Sequence, residues 1–325
     1  MGVFSYQMVE NTHKTALLFP GQGAQYPGMG RDFYEQFEEA RTVFHTANEA
    51  LGFDLAALCF HGKQEELNKT SVCQPAILVT SIAILEVLKK NSPVRPEACR
   101  AAGGLSLGEY TAHVAAGSIT FADGVRLVHK RGVFMQEACD ANPGSMVSII
   151  GLEDEAVEKI CDEIKSLGII CAANYNSPGQ VVISGEKAVL EKASALAKER
   201  GAKMVVPLKV DGAFHSDLMS PASSKLTKEL ELTPISKPKI PVVANIHAQY
   251  VREPDEIKSS LAKQLNNPVR WHQSISQLIR DGCNRFYEIG PGKSLSGLMR
   301  RIDSTQEIKN IDTVESFKKN ESFLV

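Results

Sequence analysis

The chain has 325 residues, of which 43% are hydrophobic and 23% are charged, and its formal net charge at pH 7 is −2. This composition is typical of a soluble globular protein with one large or two modest domains. The near-neutral charge gives no overall field that would recruit nucleic acid, and no apolar run approaches membrane-spanning length. Seven scattered cysteines without a C-x-x-C pair argue against a disulfide framework and a zinc site, and favour a reducing compartment.

The chain begins with a polar leader, residues 1–13, which we exclude from the fold. Residues 15–19 are apolar and predict a short buried strand, which the glycine-rich residues 20–25 end at once. Backbone N–H groups in such a loop can face a ligand, although a simple connecting turn has the same composition. A phosphate site is disfavoured because the loop lacks a Lys-Ser/Thr ending and the G-x-G-x-x-G spacing.

Apolar residues recur at helical spacing in residues 31–51, 76–88 and 121–139, which predicts three helices that pack on a sheet. Arg131 falls on the apolar face of the third helix. A cation on such a face is costly unless it has an anionic partner. Arg131 therefore implies either a structural carboxylate or the carboxylate of a ligand.

Residues 104–108 read Gly-Leu-Ser-Leu-Gly, after an apolar run of small residues and before a predicted helix. The two glycines remove the Cβ atoms that would clash where a strand and a helix approach, so Ser106 can occupy the apex of a tight turn. The N–H of Leu107 would point outward at the start of the helix, where it can stabilise a negative oxygen. The pattern indicates a nucleophilic serine, with an ordinary glycine-rich turn as the alternative.

The pattern changes between residues 144 and 209. The predicted elements are a strand at 146–150, a helix at 154–167, strands at 169–174 and 180–184, a helix at 187–200 and a strand at 203–208. This β-α-β-β-α-β order is the split-βαβ pattern of a ferredoxin-like unit. We expect a compact insert that forms one wall of a cleft over the main sheet.

The remaining elements return to strands separated by helices. They are strands at 240–245 and 285–289 and helices near Met219 and at 254–265, 271–280 and 295–301. Short apolar strands separated by helices predict a mostly parallel α/β sheet for the larger part of the chain. Residues 304–325 are polar and form a tail, either a terminal helix or a frayed end.

Several motifs along the chain occur in the order of one known family. They are FPGQGAQ at 19–25, residues 70–75 ending in Gln74-Pro75, GLSLGE at 104–109, Arg131-Gly132 with Met135-Gln136, and residues 174–179, 213–216, 267–271 and 288–292. Residues 15–302 thereby resemble the malonyl-CoA:acyl-carrier-protein transacylases of fatty-acid synthesis and the related acyltransferase domains of polyketide synthases. The resemblance implies an α/β-hydrolase-like core, residues 14–140 and 210–303, with a ferredoxin-like insert at 141–209.

The resemblance also implies roles for residues at matching positions. Ser106 matches the family's nucleophile and His215 its general base, and a serine hydroxyl is a weak nucleophile until a base accepts its proton. The backbone N–H groups of Gln22 and Leu107 match the donors of the oxyanion hole. The resemblance implies a Ser–His dyad, in which the backbone carbonyl of Gln264 orients the imidazole.

Arg131 matches the arginine that binds the free carboxylate of malonate, since a guanidinium can donate two parallel hydrogen bonds. Phe214 resembles malonyl-selective members, and its ring disfavours a 2-methyl branch by only about 1–3 kcal/mol. Leu105 departs from the histidine that many members have before the nucleophile, so a polar contact from this side chain to the substrate is absent. Neither Asp211 nor Asp217 is assigned as a third triad member.

The implied reaction transfers a malonyl group from malonyl-CoA to the phosphopantetheine thiol of acyl carrier protein through an ester on Ser106. No metal or redox cofactor is implied, and we expect no nucleic-acid or membrane partner, a monomer, and a cytoplasmic location or an organellar stroma. Lys293, Arg300 and Arg301 are candidates for a basic patch that meets the acidic carrier protein. The alternatives are a polyketide-pathway acyltransferase, an acyl hydrolase with the same dyad, and a non-catalytic docking module.

Overall fold

The computed structural model describes residues 14–210 and 212–320; the predicted leader, Asp211 and the last five residues lie outside the described residues. The strands are β1 Lys14–Phe19, β2 Ala101–Gly104, β3 Ser145–Ile150, β4 Ile170–Ser177, β5 Gln180–Gly185, β6 Met204–Pro207, β7 Val242–Val243, β8 Tyr250–Val251, β9 Cys283–Ile289 and β10 Glu307–Ile311. The helices are α1 Arg31–Gln36, α2 Glu38–Leu51, α3 Leu55–His61, α4 Gln64–Asn68, α5 Thr70–Asn91, α6 Leu107–Ala115, α7 Phe121–Ala141, α8 Asp154–Ile164, α9 Lys187–Glu199, α10 Ser220–Leu232, α11 Pro254–Gln264, α12 Trp271–Arg280, α13 Ser294–Ile302 and α14 Val314–Lys319.

The larger sheet has six strands in the order β10-β9-β1-β2-β7-β8. Every neighbouring pair is parallel except β7 and β8, so the predicted mostly parallel α/β sheet is confirmed. The central strand β1 is fully buried over its last four residues because the sheet is covered on both faces. Phe19 pairs with Gly104 at the ends of β1 and β2. The loops that follow these two strands therefore emerge side by side.

The smaller sheet is antiparallel, with the strand order β4-β5-β3-β6, and it packs against α8 and α9 around its own apolar core. The predicted β-α-β-β-α-β order of this insert is confirmed. One strand joins it to the larger part, because the Tyr175 N–H donates to the Val269 carbonyl at 2.9 Å and the Val269 N–H donates to the Ala173 carbonyl at 2.8 Å. This contact holds β4 close to the carboxyl edge of the main sheet.

Helix α5 runs through the centre of the larger part, where it packs against α2, α6 and α7. Among the described residues it is the one helix long and apolar enough to cross a membrane by length and composition. The prediction that no apolar run approaches that length is therefore wrong for this helix. Most of the helix is buried inside the protein, as expected for a core helix.

The predicted helix at residues 31–51 is interrupted at Phe37, which has extended backbone angles of −126° and 132° and separates α1 from α2. The break turns the Phe37 ring toward Phe33 and Phe317, whose rings lie 5.9 and 6.2 Å from it. Tertiary packing of three aromatic rings thus overrides a continuous helical pattern.

The predicted tail is partly a component of the main sheet. Strand β10 pairs in parallel with β9 along its whole length, and α14 returns Phe317 onto the core. Of the two alternatives for the tail, the terminal helix is present as α14, and β10 extends the main sheet beyond residue 303. The sequence looked polar because an edge strand has one neighbour and is only half-buried, so it need not be apolar.

Candidate active site

Ser106 lies between β2 and α6 with a backbone φ of 51° and ψ of −102°, which is strained for a residue with a side chain. A Cβ atom on Gly104 would collide with the backbone of Gly108, and one on Gly108 would collide with the backbone of Phe19. The predicted reason for both glycines, close approach of strand and helix, is therefore confirmed. The turn exposes the Ser106 hydroxyl to a cavity.

His215 is brought to Ser106 by the loop before α10, and its Nε2 atom lies 2.8 Å from the Ser106 Oγ atom. The Nδ1 atom lies 2.8 Å from the carbonyl oxygen of Gln264, which can only accept a hydrogen bond. The ring proton therefore sits on Nδ1 and leaves Nε2 as the acceptor. Burial, together with the positive charge of Arg131, lowers the pKa of His215 to about 4, so the imidazole is neutral at pH 7.

Arg131 on α7 is 1% exposed and lies directly against the nucleophile, with Nη2 3.1 Å from the Ser106 Oγ atom. The guanidinium also donates to the side-chain oxygens of Gln74 at 2.6 Å and Gln264 at 3.0 Å. Within the described residues no carboxylate forms an ion pair with it, and its Nε atom has no partner. Of the two partners that the sequence implied, a structural carboxylate makes no direct pair with Arg131 in this part of the chain; the buried carboxylate of Glu109 acts on it through space and through the Gln264 amide.

The two predicted oxyanion donors follow neighbouring strands, Gln22 after β1 and Leu107 at the start of α6. Among residues 14–210 and 212–320, neither backbone N–H donates to a protein acceptor. The loop of Gln22 is in contact with the serine turn, since a Cβ on Gly21 would collide with the Leu105 carbonyl. Two unpaired donors thus belong to adjoining segments beside the hydroxyl.

A cavity of about 180 Å³ opens over Ser106 and is lined by both parts of the chain. Its lining residues are Gln22, Leu105, Ser106, Met135, Met146, Asn174, Asn176, Val182, Leu208, Val210, Phe214 and His215. The insert supplies one wall through its strands β3, β4 and β5, as the sequence predicted. Phe214 is 6% exposed and contributes to the cavity lining.

Three polar side chains of the site have roles that the sequence analysis did not assign: Gln74, Asn245 and the side chain of Gln264, of which only the carbonyl was predicted. All three are 0% exposed. Two features of the sequence could have pointed to these residues: Gln74 belongs to one of the family motifs, and Asn245 is the last residue of a predicted strand. Their hydrogen bonds join segments far apart in the chain, which a local pattern cannot reveal.

The three basic candidates lie on or beside α13 and are exposed. The guanidinium of Arg301 donates to the side chain of Gln180 on the insert. Lys293 follows Gly292, which lies close to Ala24 in the first glycine loop. None of the three is among the described residues that line the cavity.

A family model described as the acyl transferase domain matches residues 16–324. The malonyl CoA-acyl carrier protein transacylase of Bacillus subtilis is 45% identical over 306 residues, which are 93% of this chain and 95% of that protein. An acyl carrier protein S-malonyltransferase from Vibrio cholerae has a similar structure, with a TM-score of 0.91, 42% identity and coverage of 94% and 99%. A malonyl-transacylase solved with its type II polyketide synthase acyl-carrier protein matches at a TM-score of 0.91, 40% identity and coverage of 95% and 99%.

Proposed function

The chain belongs to the acyl transferase domain family, and we propose that it carries a malonyl group from malonyl-CoA to the phosphopantetheine thiol of acyl carrier protein. The observation that carries the proposal is Arg131, a buried cation against the Ser106 hydroxyl with no ion-paired carboxylate among the described residues. A substrate that brings its own carboxylate would supply the missing anion. Malonyl-CoA is such a substrate, because its acyl chain keeps one free carboxylate.

In the first half-reaction, Ser106 Oγ attacks the thioester carbonyl of malonyl-CoA while His215 Nε2 accepts the hydroxyl proton. The negative oxygen that develops is stabilised by the backbone N–H groups of Gln22 and Leu107. The carbon–sulfur bond then breaks, and the CoA sulfur leaves with the proton held by His215. The product is a malonyl ester on Ser106.

In the second half-reaction, the phosphopantetheine thiol of the carrier protein gives its proton to His215 and attacks the ester carbonyl. The bond to Ser106 Oγ breaks, and the serine recovers a proton from His215. The Gln264 carbonyl keeps the imidazole in the tautomer that both steps need. Each step uses only protein groups and the two substrates, so we propose that no metal or redox cofactor takes part.

Phe214 supports a preference for malonyl over methylmalonyl groups, because its ring narrows the acyl cavity. The preference is modest, since one methyl group is worth about 1–3 kcal/mol. Competition between malonyl-CoA and methylmalonyl-CoA for the same enzyme measures it. Leu105 also lines the cavity and offers the acyl group no polar side-chain contact.

We further propose that the insert is ferredoxin-like, which its β4-β5-β3-β6 strand order supports, and that the main sheet is α/β-hydrolase-like, which its mostly parallel strands support. A cytoplasmic or stromal location is supported by the cysteines, since no disulfide is formed among the residues that the structure describes. A monomer, and a carrier-protein patch at Lys293, Arg300 and Arg301, stay predictions.

Intact-mass measurement after incubation with malonyl-CoA tests the proposal, and we expect a malonyl adduct that the Ser106→Ala variant does not form. A chain without an adduct would be a docking module. CoA release is then followed with and without phosphopantetheinylated acyl carrier protein. Steady release that depends on the carrier protein supports transfer, and equal release in its absence would identify a hydrolase.

A further inference from the structure

The strained backbone of Ser106 is held by two buried amide side chains. Its N–H donates to Asn245 Oδ1 at 2.7 Å, and the Asn245 Nδ2 group donates to the Gly104 carbonyl at 2.8 Å. On the other side, Gln264 Nε2 donates to the Ser106 carbonyl at 2.9 Å. Together the two amides bind the peptide groups before and after Ser106. These hydrogen bonds stabilise a backbone conformation with positive φ, which is otherwise unfavourable for a residue with a side chain.

Glu109, in the first turn of α6, contacts both of these residues through one oxygen atom. Its Oε2 atom accepts the Gln264 Nε2 group at 2.6 Å and the Asn245 backbone N–H at 3.0 Å. The other oxygen, Oε1, has no hydrogen-bond partner among the described residues. Glu109 is 0% exposed, and it reaches the nucleophile through its hydrogen bonds to Gln264 and Asn245.

The contact with Glu109 decides which way the Gln264 amide points. With its NH₂ group toward Glu109 and the Ser106 carbonyl, Gln264 presents Oε1 to Arg131. The reversed amide would set its oxygen against two acceptors and its NH₂ group against the guanidinium. One carboxylate oxygen therefore fixes a residue that contacts the nucleophile and the cation at the same time.

We propose that Glu109 is a positioning residue. Its Oε2 atom accepts hydrogen bonds from Asn245 and Gln264, and these two residues in turn hold Ser106 in its reactive conformation. This inference rests on the proposed function of the site. The operative property is the reach of that oxygen and not the negative charge. Burial raises the pKa of Glu109 to about 7, and a proton taken up at Oε1 would leave both accepted hydrogen bonds in place.

Two substitutions separate reach from charge. Glu109→Gln keeps the length of the side chain and an oxygen that can accept both donors, but it removes the charge. Glu109→Asp keeps the charge and withdraws the carboxylate by one methylene, so it cannot hold both donors in their present places. Glu288→Gln is the matched control, because Glu288 is also 0% exposed but binds the start of α13.

The first measurement is the rate at which phenylmethanesulfonyl fluoride modifies Ser106, since this probe reports the reactivity of a serine whatever its natural acyl donor. We expect Glu109→Gln and Glu288→Gln to react within about fivefold of the wild type, and Glu109→Asp to react about fiftyfold more slowly while it unfolds cooperatively. Glu109→Asp reacting as fast as Glu109→Gln, or faster, would overturn the inference.

The second measurement is malonyl adduct formation over a range of malonyl-CoA concentrations. In Glu109→Asp the saturating rate should fall more than the half-saturating concentration rises, because Arg131 keeps its 2.6 Å contact with Gln74. An equal or larger change in half-saturation would assign Glu109 to substrate binding and contradict the inference. A wild type that reacts with the sulfonyl fluoride but not with malonyl-CoA would instead contradict the proposed function, and the order of the variants would still test Glu109.

Discussion

Two buried polar regions of this protein use similar groups for different ends. At the start of α13, Glu288 accepts the Leu295 N–H with one oxygen and the Ser296 N–H and hydroxyl with the other, at 2.6 to 2.8 Å. Around Ser106, the Arg131 Nε atom and the backbone N–H groups of Gln22 and Leu107 have no protein partner among the described residues. The first region is complete within the protein, whereas the second has unused hydrogen-bonding capacity, which the proposed function assigns to a substrate and its transition state.

The largest expected difference between the two regions comes from removing the nucleophile. Ser106→Ala should lower acyl transfer about 10⁴-fold or more, because no other group near the cavity can form the ester. Its matched control is Ser296→Ala, which removes one buried hydrogen bond to Glu288 and should cost about 1 kcal/mol of unfolding free energy with unchanged transfer. Rates from CoA release and stabilities from urea unfolding check both, and transfer retained by Ser106→Ala would refute the assignment.

Arg131→Met tests whether the Arg131 guanidinium binds the free carboxylate of the substrate. The rate of Ser106 acylation by malonyl-CoA should fall about a hundredfold relative to acetyl-CoA, since a charge-assisted hydrogen-bond pair is worth about 3 kcal/mol. Competition between the two thioesters measures this ratio. Arg126→Met is the control on the same helix, because Arg126 pairs with Asp123 at the surface. An unchanged ratio in Arg131→Met would exclude the proposed role.

Glu288→Gln tests the region at the start of α13, where we expect an effect on stability and not on acyl transfer. One carboxylate oxygen becomes an NH₂ group that faces N–H donors at the start of α13, so the unfolding free energy should fall by about 1–3 kcal/mol. Acyl transfer per folded molecule should stay within about twofold, because the hydrogen bonds of the Glu288 side chain go to Leu295 and Ser296. A large loss of transfer without loss of stability would mean that the two regions are coupled.

The smallest effect concerns two buried histidines, His215 in the site and His113 in α6. Burial lowers the pKa of His113 to about 3, and that of His215 is about 4, whereas an unfolded histidine titrates near 6.5. Below pH 6.5 the unfolded chain binds protons that the folded chain refuses, so stability falls as the pH falls toward 4. Each histidine contributes a slope of about 1.4 kcal/mol per pH unit.

His113→Leu should therefore reduce the slope of the unfolding free energy against pH by about 1.4 kcal/mol per pH unit between pH 6 and pH 5. Urea unfolding at each pH measures this slope. Above pH 7.5 the unfolding free energies of the wild type and of His113→Leu should change with pH in parallel, because His113 is neutral there in both the folded and the unfolded chain. A difference in slope above that pH, or none below it, would contradict burial of a neutral imidazole.

Local patterns predicted much of the fold because they reflect burial in short segments. The alternation of strands and helices gave the parallel sheet, and the change of rhythm after residue 144 gave the insert. Prediction failed where distant contacts decided the outcome. Phe37 ends a helix because it packs on Phe317, and β10 exists because β9 offers a free edge.

The site divides in the same way. Gly104, Ser106 and Gly108 could be recognised from the sequence because the turn they form is made by neighbours in the chain. His215 and Arg131 were assigned from resemblance, and their distances to Ser106 became measurable only in the folded chain. Nothing in the local sequence could show that a carboxylate of α6 sets the orientation of an amide 155 residues away.

The sequence by itself determined the residues that can do chemistry here and the backbone turn that carries the serine, because both depend on residue type and on adjacent positions. The tertiary structure alone decided that the imidazole and the guanidinium both lie within hydrogen-bond distance of the Ser106 hydroxyl. It also decided that the guanidinium has no carboxylate partner among the described residues and that Glu109 leaves one oxygen unpaired. These properties arise from burial and from hydrogen bonds between remote segments, which exist only once the chain has folded.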